Sequence, residues 1–447
     1  MDRNRYVDLL RVVAIGAVVY GHWILTDVTY RDGQLSGLDA LNYISWGRWL
    51  TLALQVMPVF FLIGGYVNAR SWTQHHADGA NWTRWVGDRA MRLLWPTTVF
   101  VVVAALAVTA ARLAGVDPAE LGEGGWLVAF ALWFLPVYLL LILLTPALLA
   151  AHRRWGLAVP AVMAVAAAAV QAAVLGPHWP VIGFGNYLLV WGSIHQWGFA
   201  WQDGTLTRSR WRPLALAAGG TLALAGLLAW GPFPVDMIGA AGETVINTAP
   251  PSVALLAFAA AQAGLVLAAG PAVSRWLARP RRWRHVQRLN SSVMSVYLWH
   301  MVPVIVVAAA FYPTGIMPQP TVGSGAWWLT RLAWFGLLTV VLVPLAAAMT
   351  WVERLVFRLP AGFGPSGWWS PVLLVAGTAA AMAGLARLAI AGFAPDGHLP
   401  ALVLAAYAAG LIGTLLSGRR PPRRARPQAP RPPGPEPTLP AADRQAA

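Results

Sequence analysis

Residues 126–154 read WLVAFALWFLPVYLLLILLTPALLAAHRR, and no charged side chain interrupts the run from Trp126 to Ala150. As a helix rising 1.5 Å per residue, that run is roughly 37 Å long, more than the ~30 Å of a bilayer's hydrocarbon core. Glu120 and Glu123 precede it, and Arg153 and Arg154 follow it. An uncharged run of spanning length with Arg at one end is the pattern of a transmembrane helix.

The pattern recurs along the chain. Spans are expected at about 8–27, 49–68, 94–114, 126–150, 157–175, 181–200, 213–231, 252–271, 291–312, 329–350, 370–392 and 400–417. In lipid the backbone must satisfy its own hydrogen bonds, and these runs are too long for barrel strands, so each is read as a helix. Composition agrees: 58% of the 447 residues are hydrophobic and 11% charged, against roughly 45–50% and 25% in soluble domains. The expected fold is all-α, a polytopic membrane bundle of about twelve transmembrane helices, located in the cell membrane.

The net charge is +15, and every one of the 32 basic residues is Arg. They lie in short tracts between apolar runs rather than on one basic domain, so no nucleic-acid partner is expected. Twenty-six fall on alternate segments between spans, among them Arg5, Arg70, Arg84, Arg89, Arg92, Arg153, Arg210, Arg288 and Arg354. The intervening loops hold only Arg31 and Arg48, with acidic residues such as Asp27, Glu120 and Asp236. By the positive-inside rule both termini are cytoplasmic. The Arg-rich loop 275–288 is read as a topology determinant that touches anionic lipid. The absence of Cys excludes disulfides, thiol nucleophiles and iron–sulfur clusters. His75 and His76, read as solvated in a polar loop, lack metal-ligand spacing, and no metal is expected. The first apolar run has no small-residue cleavage site and leads into further spans, so it is read as a retained helix. Residues 418–447, rich in Pro and Arg, are read as a disordered cytoplasmic tail.

Ionisable groups inside the hydrocarbon are costly, and each is a functional candidate until explained. The strongest candidates lie in the first helix, RYVDLLRVVAIGAVVYGH (5–22). Arg11 and His22 are eleven residues apart, three turns plus roughly 20°, so they share a face about 16 Å apart along the axis. An Arg at the membrane edge suits a phosphate, and a buried His suits proton transfer. A snorkelling Arg11 and a His22 that merely bonds a neighbouring helix remain the alternative on physics alone.

This stretch resembles the opening of the acyltransferase-3 family of multi-pass membrane acyltransferases. That opening has an Arg, then Asp-x-Leu-Arg, then ten residues, then His, and Arg5, Asp8, Leu10, Arg11, Ala14, Val18 and His22 fall in register with it. MPVFFLIGGYVNARSW (57–72) resembles the family's second-helix segment, with Gly64 where Ser is usual and Tyr66 retained. RAMRLLWP (89–96), LWFLPVYLL (132–140), SVYLWHMVP (295–303) and WVERLVF (351–357) resemble four later segments in the family's order. The likeness covers residues 1 to about 358, ten of the expected spans. It leaves 359–417 as two additional helices and 418–447 as the tail.

The resemblance implies transfer of an acyl group, commonly acetyl, from cytoplasmic acyl-CoA to a hydroxyl of a carbohydrate, lipid or metabolite acceptor, with membrane lipids around it and no bound cofactor. It makes His22 the catalytic residue and Arg11 its partner. Arg5, Asp8, Tyr66, Arg70, Arg89, Arg92, Trp133, Tyr138, Tyr297, His300 and Glu353 are the candidate substrate-binding residues. Arg11, Arg70, Arg89 and Arg92 fall at the cytoplasmic edge, and His22 lies about 16 Å deeper, the reach of a pantetheine-like arm. Asp8 is expected to pair with Arg5 or Arg11, and Glu353 to hold an Arg in an ion pair. His195, between Trp191 and Trp197, is read as a packing or interfacial residue. A transporter or flippase without acyl-transfer chemistry is the alternative function.

Overall fold

In a computed structural model of the chain, residues 4–79, 81–177, 179–239, 243–356 and 369–417 are described. The tail 418–447 and the proposed boundary at 358/359 lie outside them. The helices are α1 (Arg5–Leu25), α2 (Thr51–Leu54), α3 (Met57–Ala77), α4 (Trp82–Leu113), α5 (Pro118–Ala129), α6 (Phe134–Trp155), α7 (Ala158–Leu175), α8 (Pro180–Gly183) and α9 (Gly185–Gln202). They continue with α10 (Trp211–Trp230), α11 (Val253–Trp276), α12 (Pro280–Asn290), α13 (Val293–Trp299), α14 (Val302–Phe311), α15 (Gly325–Val356), α16 (Trp369–Ala391) and α17 (Ala401–Leu416).

Among the described residues a helix stands at each of the twelve expected positions, but not every one is long and apolar enough to count as a span by itself. Nine segments are long and apolar enough to cross a bilayer, and the bent pair α13–α14 makes a tenth. The other two fall short for different reasons. α9 carries Asn186, His195 and Gln196 on a largely buried surface, so it is too polar. α17 has only 16 residues. Several helices also outrun their apolar cores: α4 begins at Trp82, so Arg84, Arg89 and Arg92 ride on the helix itself. His75 and His76 occupy the last turn of α3 and not a loop, His76 stacking on Trp72 at 5.3 Å.

The all-α expectation also misses an antiparallel hairpin, β1 (Thr26–Arg31) with β2 (Gln34–Asp39). Asp32 and Gly33 join the strands with φ of 53° and 82°, the two-residue turn that Asp-Gly favours. Alternation gives the hairpin two faces. Val28, Tyr30 and Leu35 pack on the core, while Asp27, Thr29 and Arg31 stand on the other face, paired with Leu38, Ser36 and Gln34.

Two apolar clusters fill the interior. α1 contributes Ile15, Val19 and Trp23 to one, and Ala14 and Val18 to the other, so it lies on the seam between them. Against the second cluster, α3 and α9 approach so closely that a Cβ on Gly65 would sit 2.0 Å from the His195 carbonyl oxygen, and one on Gly198 would sit 2.2 Å from that of Leu62. Small residues at such crossings are what bring membrane helices into contact. α16 and α17 pack on the first cluster: Phe393 N–H donates to the Gly125 carbonyl at 3.2 Å, and the Tyr407 and Thr98 hydroxyls lie 2.8 Å apart.

Candidate active site

Pro303 has no N–H and its ring crowds the carbonyl four residues back, which weakens the helix carrying SVYLWHMVP at that point. It breaks between α13 and α14 with a 46° bend, leaving His300 and Met301 in the gap. Side chains take carbonyls there: Trp23 Nε1–H donates to His300 O at 2.8 Å, and His300 Nδ1 lies 2.6 Å from Tyr297 O. A second interruption, the tight turn Phe130–Trp133 between α5 and α6, faces the first. The Tyr297 hydroxyl donates to the Ala131 carbonyl across the gap. His22 sits where the two meet, its ring 4.9 Å from Phe130 and 5.0 Å from His300 between centroids.

His22 Nδ1 lies 2.8 Å from His300 Nε2. Their partners set the proton positions. A carbonyl oxygen only accepts, so His300 Nδ1 carries the hydrogen that goes to Tyr297 O. A neutral imidazole has one N–H, so His300 Nε2 accepts, and His22 Nδ1 must donate to it. The remaining nitrogen, His22 Nε2, then holds a lone pair. The chain Tyr297 O, His300, His22 thus presents a base with a fixed tautomer. The sequence singled out both histidines but gave no sign that they meet.

Three turns away along α1, Arg11 pairs with buried Asp8 at 3.8 Å, and Asn290 Nδ2 donates to the same Asp8 oxygen at 3.2 Å. Arg5 is held elsewhere, donating to Leu277 O at 3.3 Å and lying over the Trp283 ring. Arg89 donates to Val67 O at 3.1 Å while its buried Nε has no hydrogen-bond partner among the described residues, and it lies within Coulombic reach of both Arg11 and Arg92. Three guanidiniums drawn from α1 and α4 thus converge at this end, a donor set suited to a multiply charged anion. Arg70 stands on α3 at the same end. The Tyr66 hydroxyl accepts from Asn4, the residue that caps α1. Among the described residues Glu353 holds no Arg, contrary to expectation: Ser295 donates to its Oε2 at 2.9 Å, and its Oε1 has no partner there.

Between the two ends lie aromatic rings. Trp133 packs 5.8 Å from Trp191, and Tyr138 stacks on Phe134 at 5.2 Å. The departure at Gly64 has a local cause: a Cβ there would lie 2.5 Å from Tyr138 Cε2. The ring occupies the space a Ser side chain would need. His195 is fully buried with Asn68 Nδ2 3.2 Å from its Nε2, which fits the packing role of the two expected for it and not the interfacial one.

Sequence reasoning passed over Arg331 and Asp27. They form a buried ion pair roofed by Trp327, whose Nε1–H donates to Asp27 Oδ2 at 3.1 Å. The signal was a lone Arg inside an apolar run, four residues after a Trp, opposite a lone Asp that follows another span. A family model described as an acyltransferase domain matches residues 4–351. No curated protein and no solved structure matches the chain.

Proposed function

The chain belongs to that acyltransferase family, whose domain spans residues 4–351, and from this premise we propose that it transfers an acetyl group from acyl-CoA to an acceptor hydroxyl with His22 as general base. A multi-pass helical protein carrying this domain is a membrane-embedded transferase of non-aminoacyl groups. The transporter alternative falls with the family match. The donor is read as cytoplasmic acyl-CoA, its phosphates against Arg11, Arg89 and Arg92, in a cell-membrane protein with both termini inside. Arg5, Asp8, Tyr66, Arg70 and Glu353 shape that end, and Trp133, Tyr138 and Tyr297 line the way inward.

The observation that carries this reading is the hydrogen-bond chain leaving His22 Nε2 unprotonated, on the same helix face as Arg11. The acceptor oxygen attacks the thioester carbonyl as its proton passes to His22 Nε2. The C–S bond then breaks, and the imidazolium returns the proton to the departing thiolate, giving an ester and free CoA. Imidazolium at His22 keeps its Nδ1–H bond to His300, so the charged form is held in place without a carboxylate.

The test is acceptor-dependent CoA release by purified protein in nanodiscs supplied with acetyl-CoA. His22→Gln keeps hydrogen-bonding capacity but not basicity, and should lower turnover by roughly 10²–10⁴. Arg11→Ala should raise the half-saturating donor concentration, with Arg11→Lys only partly restoring it. Near-normal turnover in a correctly inserted His22→Gln would sink the base assignment.

A further inference from the structure

The match to the family domain stops at residue 351, yet α16 and α17 beyond it pack closely on the matched part. α16 lies against the tight turn Phe130–Trp133, and the connection from Gly392 to Gly397 runs along α5 from one end to the other. Resting on the reading that acyl transfer occurs at His22, we infer that this connection is a brace for the catalytic histidine, with Gly392 and Trp126 as positioning residues that hold Phe130 against the His22 ring.

The brace is built by close approach. A Cβ on Gly397 would lie 2.6 Å from Pro118 Cβ, in the first turn of α5. One on Gly392 would lie 2.7 Å from the Trp126 N and 2.8 Å from its Cα, in the last turn. Between them the Phe393 N–H donates to the Gly125 carbonyl at 3.2 Å, and a Cβ on Gly125 would lie 2.9 Å from the Ala394 N. Gly392 also has a φ of 78°, so a larger residue there is strained as well as crowded. Contacts at both ends and the middle of α5 resist its sliding and its rolling.

From Trp126 the contact passes inward. Its ring stacks on that of Phe130 at 5.4 Å, and the Phe130 ring lies 4.9 Å from that of His22. In the same turn the Ala131 carbonyl accepts from Tyr297, whose own carbonyl sets the His300 tautomer. That turn is a short 3₁₀ segment, whose hydrogen bonds are poorer than those of an α-helix, so packing from outside has to fix it. α16 supplies such packing: Leu385 and Leu388 share one buried cluster with Ala131 and Leu132. A second path runs from Phe393 to Phe100 at 5.8 Å and on to Trp299 at 5.2 Å, beside His300. Both histidines thus lean on residues beyond the matched domain. A base has to stand within hydrogen-bond reach of the proton it takes, and a misplacement of about 1 Å costs roughly 10²-fold.

Histidine ring resonances of the full chain in nanodiscs, with the His22 set identified by its loss in His22→Gln, report on the brace without turnover. Trp126→Leu removes the ring that backs Phe130, at a position 48% exposed and so of little weight in the core. Gly392→Ala pushes the connection off α5. Each should move the His22 resonances and lower turnover by roughly 10–10²-fold, read as CoA release from acetyl-CoA with an extract of the native membranes as acceptor. The half-saturating acetyl-CoA concentration should stay the same, because Arg11 lies three turns away. Trp126→Phe keeps a ring on Phe130 and should restore both readouts. Gly220→Ala controls for general destabilisation, since its Cβ would lie 2.3 Å from the Ala261 N where α10 crosses α11. Its thermal midpoint should drop while the His22 resonances hold. Resonances that stay in place in both Trp126→Leu and Gly392→Ala would overturn the brace, and so would an equal movement in Gly220→Ala. Resonances that move as expected, in a protein whose wild type releases no CoA, would support the brace and overturn the acyl-transfer reading.

Discussion

His22 does its proposed work only in one tautomer, and the group that sets it is His300, itself set by a carbonyl freed at a helix break. His300→Leu removes the acceptor for His22 Nδ1–H and lets the proton move to the reacting nitrogen. Turnover at saturating donor should fall by roughly 10²–10⁴, the range for losing a base or the partner that orients it, with donor half-saturation unchanged. His300→Gln retains an amide oxygen and should recover part of the loss, and equal turnover in the Leu and Gln variants would dismiss the tautomer argument. A quieter residue gives a stability test. Burial raises the Asp39 carboxyl above its ordinary value, the Leu41 N–H opposes this, and Asp236 adds to the rise. Such a carboxyl binds its proton more tightly folded than unfolded, so its ionised form weakens the fold at neutral pH. The weakening fades as pH falls through the folded value toward the unfolded one near 3.9. Asp39→Asn keeps an oxygen for the Leu41 N–H, bonded at 2.9 Å. Its thermal midpoint in detergent should exceed wild type at pH 7 and match it below about pH 4; a lower midpoint at pH 7 would count against the argument. At this scale the sequence exposed the candidates but not their pairing, because His22 and His300 are 278 residues apart and only the fold brings them together.

Among elements, the tightest contact is the crossing of α3 and α9 at Gly65 and Gly198. Gly65→Ala places a methyl where the His195 carbonyl already sits, and overpacking of this kind costs about 1–3 kcal/mol. The thermal midpoint should drop by several degrees. Gly219→Ala is the control, since a Cβ there meets nothing within 4 Å and alanine is the better helix former. Equal midpoints for the two variants would mean the helices separate freely. Long elements were the legible part of the fold, because apolar length alone specifies a membrane helix, but 291–312 read as one span and the α13–α14 break did not show in it. Their ends were not: α4 starts twelve residues before its apolar run because Arg side chains propagate a helix well. The hairpin was missed although Asp32-Gly33 between alternating residues is a strong turn signal. In a chain read for spans, its six-residue strands looked like loop. α9 was expected at 181–200 despite its polar residues, and a helix surrounded by protein need not be apolar enough to face lipid.

At the scale of the whole molecule, contacts between loops sort the helix ends into two groups. The hairpin end gathers β1 with Arg331 at the start of α15, β2 with Glu120 and Glu123 on α5, and Arg48 with Glu243 in the α10–α11 connection. The Arg-rich end gathers His152 near the end of α6 with Asp203 after α9, 3.0 Å apart, and Ser295 on α13 with Glu353 on α15. The first of these pairs decides the disputed helix. α7 leaves the Arg-rich end directly after α6, so α9, which ends there, has to travel back across the bundle despite its polar sequence. The last helix follows the same logic. Ser370 at the start of α16 donates to the Ser417 carbonyl after α17 at 2.7 Å, so α16 and α17 leave and return to one end. If α9, α17 and the bent pair cross together with the nine apolar segments, the number of crossings is even, and α1 begins and α17 ends on the Arg-rich side. We propose that this is the cytoplasmic side, from the distribution of Arg. Reporter fusions inserted at Val116, in the exposed turn after α4, and after Leu416 should therefore report opposite compartments, the second cytoplasmic. A fusion after Gln202 should agree with the one after Leu416. If the Gln202 fusion instead reports the compartment of Val116, α9 does not cross, and every helix after it is inverted relative to the Arg cluster. If Val116 and Leu416 report the same side, the donor would have to reach Arg11 from the face that carries the hairpin.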